Sequence, residues 1–264
     1  MARGRSSTVL VRRRSADGAT RRLPDELVVE EPMAIQLDGH LVATTMRTPG
    51  HDYELAVGFC FGDGLLGGAT VDGVRYCATG SAVDTEFNVV TVDTGGRAPV
   101  PVARLGTVSS SCGLCGSQTL TTLVDRLAPL PPAAGPSLGV LTAIPAEVRA
   151  HQTLFASTGA VHAAAAFTAD GVVLVVREDV GRHNAVDKVV GRLLLDGAIP
   201  ASGLGLYVSG RASFELVQKA WAAGFTSMVA VSAPTALAVQ TARAAGLGLV
   251  GFVRDGAANV YSPA

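Results

Sequence analysis

The second half of this chain alternates short apolar runs with amphipathic segments, and this alternation restricts the folds open to it. Apolar runs of strand length recur between segments whose apolar residues follow the helical period. Strands are predicted over 162–167, 172–177, 205–208, 228–231 and 247–253, and helices over 146–153, 181–196, 213–223 and 235–244. Strands joined through helices form a mainly parallel sheet with helices on its faces. The pattern therefore predicts an α/β fold with a three-layer domain.

The first hundred residues follow a different pattern, mainly short β-rich runs. Asp38 and Gly39 separate two of these runs and favour a tight hairpin turn. Asp52 is expected to cap a helix that ends near residue 61. The sequence thus predicts three regions, which are a basic and poorly ordered terminus over 1–22, a smaller β-rich N-terminal subdomain over 23–105, and an α/β domain over 106–264 that carries a C-x-x-C loop.

Charge and hydropathy restrict the partners and the location. The net charge of −1 gives no electrostatic basis for a nucleic-acid partner. The apolar runs are shorter than a bilayer span, so no membrane partner is expected. The basic N-terminus lacks the apolar stretch of an export signal, and a cytoplasmic location is therefore predicted. In that reducing compartment a C-x-x-C pair favours metal binding, redox chemistry or sulfur chemistry over a structural disulfide.

The C-x-x-C motif consists of Cys112 and Cys115 within the run Ser-Ser-Ser-Cys-Gly-Leu-Cys-Gly at 109–116. A helix is predicted over 117–127, so both sulfurs are expected at or just before a helix N-terminus. Free N–H groups and the helix dipole stabilise an anion there, and a thiolate is such an anion. At least one cysteine is therefore expected to be nucleophilic near neutral pH. The surrounding glycines allow a partner to approach the backbone closely.

Polar clusters follow three of the predicted strands, where open α/β sheets bind ligands. Arg182, His183 and Asp187 belong to a dense charged run and are expected to face a shared site, although a solvated helix start is the plainer interpretation. Ser209 and Arg211 follow the next strand, and the guanidinium of Arg211 suits a phosphate. The free N–H groups of the helices that begin at these strand ends also favour anions.

Five other polar or sulfur-bearing residues have structural interpretations. Ser213 and Thr235 are expected to cap the helices that follow them. His162 lies in an apolar strand, where a hydrogen-bonded core histidine is more common than a ligand or proton donor. Cys60 and Cys77 lie in apolar patterns and are predicted to be small buried hydrophobic residues.

Three chemistries remain open for the cysteine motif. A zinc-dependent, deaminase-like hydrolase would pair H-x-E with P-C-x-x-C. No histidine here precedes a glutamate by two residues, and Ser111 replaces the proline, so this ligand set is incomplete. A thiol–disulfide oxidoreductase usually carries its motif near the N-terminus, not in the middle of the chain. Sulfur transfer through a persulfide needs an exposed cysteine, a glycine loop and an acceptor pocket. A second thiol can then release the sulfur by forming a disulfide.

The chain resembles the FdhD/NarQ family, whose members are sulfur carriers needed for formate dehydrogenase activity. The resemblance extends from about residue 30 to the C-terminus, and the eleven-residue charged run is its most specific part. Five motifs carry it, namely Ser-x-Cys-Gly-x-Cys-Gly at 110–116, Thr-Gly-x-x-His-Ala-Ala at 158–164, Glu-Asp-Val-Gly-Arg-His-Asn-Ala-Val-Asp-Lys at 178–188, Ser-Gly-Arg-x-Ser-x-Glu at 209–215 and Ser-Ala-Pro-Thr at 232–235.

The resemblance implies a specific reaction. A cysteine desulfurase would load sulfur as a persulfide on Cys112, with Cys115 as its partner cysteine. The sulfur would then pass to the bis-molybdopterin guanine dinucleotide molybdenum cofactor, which is bound as the acceptor, before that cofactor enters formate dehydrogenase. Whether such a sulfurtransferase-type carrier is an enzyme in the usual sense stays open. Arg182, Arg211 and Arg254 are the expected contacts to the anionic acceptor.

The resemblance also implies a binding segment, a fold and an oligomeric state. The family's cofactor-binding segment corresponds here to Phe252, Val253, Arg254, Asp255, Gly256 and Ala257. The C-terminal domain is expected to be cytidine-deaminase-like, in agreement with the three-layer prediction. The carrier is expected to be a homodimer.

Overall fold

The computed structural model describes residues 4–77, 81–101, 127–133, 135–254 and 256–263. Within these residues the chain forms three β-sheets and a set of packed helices, in a mixed α/β arrangement. No helix in the described ranges is long and apolar enough to cross a membrane.

An antiparallel hairpin begins the described chain. It consists of β1 (Ser6–Arg14) and β2 (Thr20–Val28), which form a two-stranded sheet of their own. Of the terminus predicted to be poorly ordered, over 1–22, residues 6–14 and 20–22 lie in these two strands. Val9, Leu10 and Val11 suit a β-strand, and Val11 lies opposite Leu23 in the hairpin register.

The N-terminal lobe is built on a four-stranded sheet. Its strands are β3 (Glu31–Leu37), β4 (His40–Arg47), β5 (Gly73–Tyr76) and β6 (Val89–Asp93), in the order β4-β3-β6-β5. The predicted hairpin turn is confirmed, because Asp38 and Gly39 join β3 to β4 with φ values of 47° and 84°. Apolar side chains of β3 and β6 pack against helix α1 (Asp52–Gly62) and form the core of this lobe.

Helix α1 begins as predicted but is not capped by Asp52. The N-cap is His51, in a left-handed conformation with φ of 57° and without a side-chain cap. The carboxylate of Asp52 instead accepts hydrogen bonds from Arg47 Nε at 3.2 Å and Arg47 Nη2 at 3.0 Å. Arg47 is almost completely buried, and a buried guanidinium needs a carboxylate partner more than the helix needs a cap.

The C-terminal lobe is built on a six-stranded mixed sheet in the order β12-β11-β10-β9-β7-β8. Its strands are β7 (His162–Phe167), β8 (Val173–Asp179), β9 (Gly205–Val208), β10 (Ser227–Ala230), β11 (Gly248–Arg254) and β12 (Ala257–Ser262). All five strands predicted in this half are confirmed, and the turn after Arg254 leads into β12 at the sheet edge.

Helices cover both faces of this sheet. They are α2 (Leu138–Ala150), α3 (Thr153–Thr158), α4 (Arg182–Leu195), α5 (Phe214–Ala222) and α6 (Ala236–Ala245). Residues of α4, α5 and α6 pack in one core cluster with alternate strand residues such as Leu206 and Met228. Residues of α2 pack on the other face with Tyr207 and Val229. The single helix predicted over 146–153 is instead the end of α2, a break and the start of α3.

The two lobes meet where α1 crosses α4. Gly58 and Gly191 lie at the crossing, and each backbone approaches the opposite helix closely. A Cβ atom built on Gly191 would lie 1.8 Å from the Glu54 carbonyl oxygen, and one on Gly58 would lie 1.9 Å from the Asp187 carbonyl oxygen. Only glycine permits this approach.

Candidate functional site

The candidate site lies at the edge of the six-stranded sheet where four strands end. β9, β10 and β11 are mutually parallel, and β8 runs in the same direction because β7 is antiparallel to both β8 and β9. A backbone hydrogen bond from Ser232 N to Gly210 O joins the loops that follow β9 and β10, and Phe252 N near the end of β11 donates to Ser232 O. The predicted polar clusters therefore lie on one rim, the usual ligand position in α/β sheets.

Ser209 and His162 lie next to each other on this rim. Ser209 Oγ accepts a hydrogen bond from Ala163 N at 2.9 Å and lies 3.4 Å from His162 Nδ1. Burial, and then the nearby Arg182, lower the pKa of His162, while Asp179 acts in the opposite direction. The imidazole is therefore neutral at pH 7. It can donate a hydrogen bond to a ligand, or accept one from it, without adding a charge to the site.

Both side chains line an open cavity of about 590 Å³. Arg149, Phe155 and Tyr207 also line it, and the Arg149 guanidinium lies 3.9 Å from the centroid of the Phe155 ring. Sequence analysis did not single out these three residues. Arg149 and Phe155 fall on two separate helices, so no local spacing pattern connects them with His162.

Arg182 and Arg211 lie near each other beside this cavity, and their positive charges repel. Burial, and then the Arg211 guanidinium, lower the pKa of Arg182, while Glu215 acts in the opposite direction. Arg182 Nε is buried and has no hydrogen-bond partner among the described residues, and Arg211 is exposed. Two neighbouring guanidiniums, one of which has an unused donor, are suited to an anionic ligand such as a phosphate.

The side chain of His183 is buried and is not exposed to the cavity. Its side chain is 8% exposed, and Nε2 lies 3.4 Å from Ser213 Oγ and 3.5 Å from Glu215 Oε2. Ser213 is the N-cap residue of α5 as predicted, but its hydroxyl makes no cap hydrogen bond. Thr235 caps α6 as predicted, because its side chain accepts from Ala238 N. His183 thus joins the start of α4 to the start of α5.

The prediction that Asp187 shares the ligand site is wrong. Asp187 lies one turn further along α4 and points to the interior, where Lys219 Nζ donates to its Oδ1 at 2.7 Å. Burial lowers the pKa of Lys219, but Asp187 and Asp63 outweigh this effect and raise the pKa, so the lysine stays charged. A carboxylate at this position compensates a buried ammonium group and is out of reach of a ligand.

Most of the remaining charged run is also structural. Glu178 accepts hydrogen bonds from Leu154 N and Phe155 N at the start of α3. Asp179 is fully buried and lies 2.7 Å from Lys188 Nζ. It also accepts hydrogen bonds from Asn184 and from the backbone of residues 48 and 181. Within the run 178–188, Val180 lines the cavity, and Arg182 is half-buried with a donor that has no hydrogen-bond partner among the described residues.

The predicted cofactor-binding segment leaves the same rim. Phe252 is 37% exposed, and its φ of 53° is unusual for an aromatic residue. Phe252, Arg254 and Ala257 line a shallow cavity of about 400 Å³ together with Ala258 and Asn259. Gly256 is exposed, whereas Val253 is 1% exposed and belongs to the core under α2, so its side chain cannot contact a ligand. Asp255 lies outside the described residues.

The reactive cysteine pair stays a prediction. Cys112 and Cys115, and the helix expected after them, lie outside the described residues. Cys60 is fully buried as predicted, and burial, then the Asp63 charge, raise its pKa. Cys77 is half-buried, which is less than predicted. In the described part of the chain no three His, Cys, Asp or Glu side chains form a group that could hold a metal ion.

Comparisons with known proteins agree on one family. A model of the FdhD/NarQ family matches residues 28–264. The sulfur carrier protein FdhD of Nocardia farcinica is 50% identical over 250 residues, which cover 92% of this chain and 88% of the relative. The protein of the same name from Streptomyces coelicolor is 49% identical over 262 residues, which cover 95% and 92% of the two chains.

A solved structure shares the fold. A crystal structure assigned to a formate dehydrogenase accessory protein from Desulfotalea psychrophila superposes with a TM-score of 0.77 at 24% sequence identity. The match covers 98% of this chain and 97% of the other. At this identity the likeness concerns the fold.

Proposed function

The chain belongs to the FdhD/NarQ family, and on this premise we propose that it is a sulfur carrier that supports formate dehydrogenase. One observation carries the proposal. Relatives of this name are 48–50% identical over more than nine-tenths of the chain, and the family match spans the C-x-x-C motif. A cytidine-deaminase-like description of the C-terminal lobe stays a prediction, as do the cytoplasmic location and the homodimer.

The loading step transfers one sulfur atom from a cysteine desulfurase. The Cys112 thiolate attacks the outer sulfur of the donor's persulfide. A new sulfur–sulfur bond forms on Cys112, the donor's own bond breaks, and the donor cysteine leaves as a thiolate. No electron is gained or lost overall, so the step needs no cofactor.

The release step uses the second cysteine. The Cys115 thiolate attacks the inner sulfur of the Cys112 persulfide and forms a disulfide, and hydrosulfide leaves. The two cysteines supply the two electrons that reduce the outer sulfur to hydrosulfide. A cellular dithiol then reduces the disulfide and restores the carrier.

The rim of the six-stranded sheet is the proposed site of the acceptor. The acceptor is a bis-molybdopterin guanine dinucleotide molybdenum cofactor, a polyanion with pyrophosphate groups and aromatic bases. Arg182 and Arg211 lie beside the cavity that His162 and Ser209 line, and Arg182 has an unused donor. Arg254 and Phe252 leave the same rim and offer a cation and an exposed ring. We propose that these groups hold the nucleotide arms.

Intact-protein mass spectrometry tests the carrier role. The protein is incubated with a purified cysteine desulfurase and cysteine. We expect a gain of about 32 Da, one sulfur atom, on the wild type and on Cys115→Ala. Cys112→Ala should lack it, and Cys60→Ala is the matched control because Cys60 is buried.

Two results would contradict the proposal. An adduct that persists in Cys112→Ala would place the carrier sulfur elsewhere. An intramolecular disulfide that forms without any persulfide would favour the alternative function, a thiol–disulfide oxidoreductase.

A further inference from the structure

The β1–β2 hairpin stands apart from the rest of the molecule. Apart from Val28 it precedes the family match, which begins at residue 28, and within the described ranges its strands pair only with each other. Nearly all of its side chains are exposed or half-buried. At its base Arg5 Nη2 donates to Glu178 O at 3.3 Å, and β2 contacts α3. A two-stranded hairpin on its own is only marginally stable in water, and a bound partner would stabilise this one.

The free end of the hairpin places arginines opposite arginines. In the strand register Arg12 lies opposite Arg22, and Arg13 lies opposite Arg21. Residues directly opposite share one face and successive residues alternate, so each face of the hairpin end carries an arginine pair. All four side chains are exposed. Like charges in this position destabilise a hairpin, which a structural role alone does not explain.

Among the described residues, these guanidiniums have no carboxylate partner. The arginine ion pairs in the described part of the chain are made by arginines outside the hairpin. No carboxylate there forms an ion pair with any of the four hairpin arginines at positions 12, 13, 21 and 22. Residues 1–28 hold seven of the 21 basic residues and three of the 22 acidic ones, which leaves 14 basic against 19 acidic residues elsewhere. The hairpin is thus a local positive charge on a negatively charged body.

Two exposed apolar side chains lie close to the arginine pairs. Leu10, which is 61% exposed, shares a face of the hairpin with Arg12, and Val9, which is 36% exposed, lies on the other face with Arg13. Arginine next to apolar side chains is typical of protein–protein interfaces. A long polyanion such as duplex DNA would also meet the negatively charged body, whereas a short acidic protein segment would contact the hairpin alone.

We propose that the hairpin is the docking surface for an acidic segment of a partner protein. Its two arginine pairs bind carboxylates, and Val9 and Leu10 pack against apolar residues of the same segment. The inference does not depend on sulfur transfer.

Binding of a fluorescein-labelled decaglutamate peptide, measured by fluorescence anisotropy on the full-length protein, tests this docking. One variant replaces the four hairpin residues, which are Arg12, Arg13, Arg21 and Arg22, by glutamine. A second replaces them by lysine. The matched control removes the same charge elsewhere, at Arg75, Arg97, Arg192 and Arg243. Circular dichroism confirms that each variant is folded.

We expect the glutamine variant to lose at least about tenfold in peptide affinity, and the lysine variant and the control to lose less than about threefold. Binding should also weaken as salt is added, because exposed charges are screened. Equal loss in the control, or no loss in the glutamine variant, would overturn the proposal. If a random-sequence DNA duplex binds more tightly than the peptide through the same arginines, the proposal of an acidic protein segment is wrong and the partner is a nucleic acid.

Discussion

Replacement of Gly191 by alanine tests the close crossing of α1 and α4. A Cβ atom at Gly191 would lie 1.8 Å from the Glu54 carbonyl oxygen, whereas ordinary contact begins at 3.4 Å. The helices must therefore separate by about 1.6 Å, the difference between these two distances. The obstacle is backbone on both sides, which no rotamer change relieves. Overpacking of this kind costs about 3 kcal/mol, the upper part of the usual range.

Helix propensity acts in the opposite direction and reduces the net effect. Alanine in a helix is about 1 kcal/mol more favourable than glycine, which leaves a net loss of about 2 kcal/mol. For a protein of this size each kcal/mol lowers the melting temperature by about 2–4 °C, so we expect a decrease of about 4–8 °C. Gly58→Ala should change stability in the same direction, because its Cβ would lie 1.9 Å from the Asp187 carbonyl oxygen.

Differential scanning calorimetry of both variants measures this effect. Gly139→Ala is the matched control, because Gly139 lies in the first turn of α2 and a Cβ there would have no neighbour closer than 3.9 Å. Its melting temperature should stay the same or increase. A Gly191→Ala protein that melts at or above the wild-type temperature would refute the reasoning about the crossing.

Two further changes test the ion pairs and the rim. Burial raises the pKa of Glu54, but hydrogen bonds from Arg177 and His51 outweigh it and lower the pKa to about 2, so this stabilisation is present above pH 4.5 and is lost as the pH falls toward 2. In Arg177→Leu the buried carboxylate is left without its guanidinium, and we expect a deficit of about 3 kcal/mol at pH 7 that shrinks as the pH falls from 4.5 toward 2, where Glu54 becomes protonated in the wild type as well. Urea unfolding at pH 7 and at about pH 2.5 measures it, and an equal deficit at both would exclude the ion pair as its cause. Arg211→Gln should weaken binding of guanosine diphosphate by about tenfold in isothermal titration calorimetry, because one charge-assisted hydrogen bond is lost, while exposed Arg192→Gln should not; unchanged affinity would place the nucleotide elsewhere.

Local sequence signals predicted the elements well and their pairing poorly. The Asp38-Gly39 turn and the apolar runs of the second half carry their own signals, so the strands there appear where expected. The position of β7 between β8 and β9 depends on long-range packing, which no local pattern encodes. The hairpin over residues 6–28 was missed because its arginines resemble a solvated tail.

The sequence predicted some of the residues on the rim but not others. Arg182, Ser209 and Arg211 follow strands that end at one edge, and the general rule for α/β sheets therefore brings them together. Asp187 was misassigned because its partner, Lys219, is 32 residues away in the chain. The cavity residues Arg149 and Phe155 belong to helices whose relative position is set by the break between α2 and α3.

The fully buried Asp179 bears on whether the two lobes of this protein could be inherited or expressed separately. Its carboxylate accepts from Thr48 N of the N-terminal lobe and bonds with Lys188 of the C-terminal lobe, while Lys188 Nζ donates to Thr48 O. A fragment made of either lobe alone would leave part of this set of buried polar groups without partners, at a cost of several kcal/mol. The lobes are therefore expected to be inherited and expressed as one unit, and gene fission between them should yield insoluble halves.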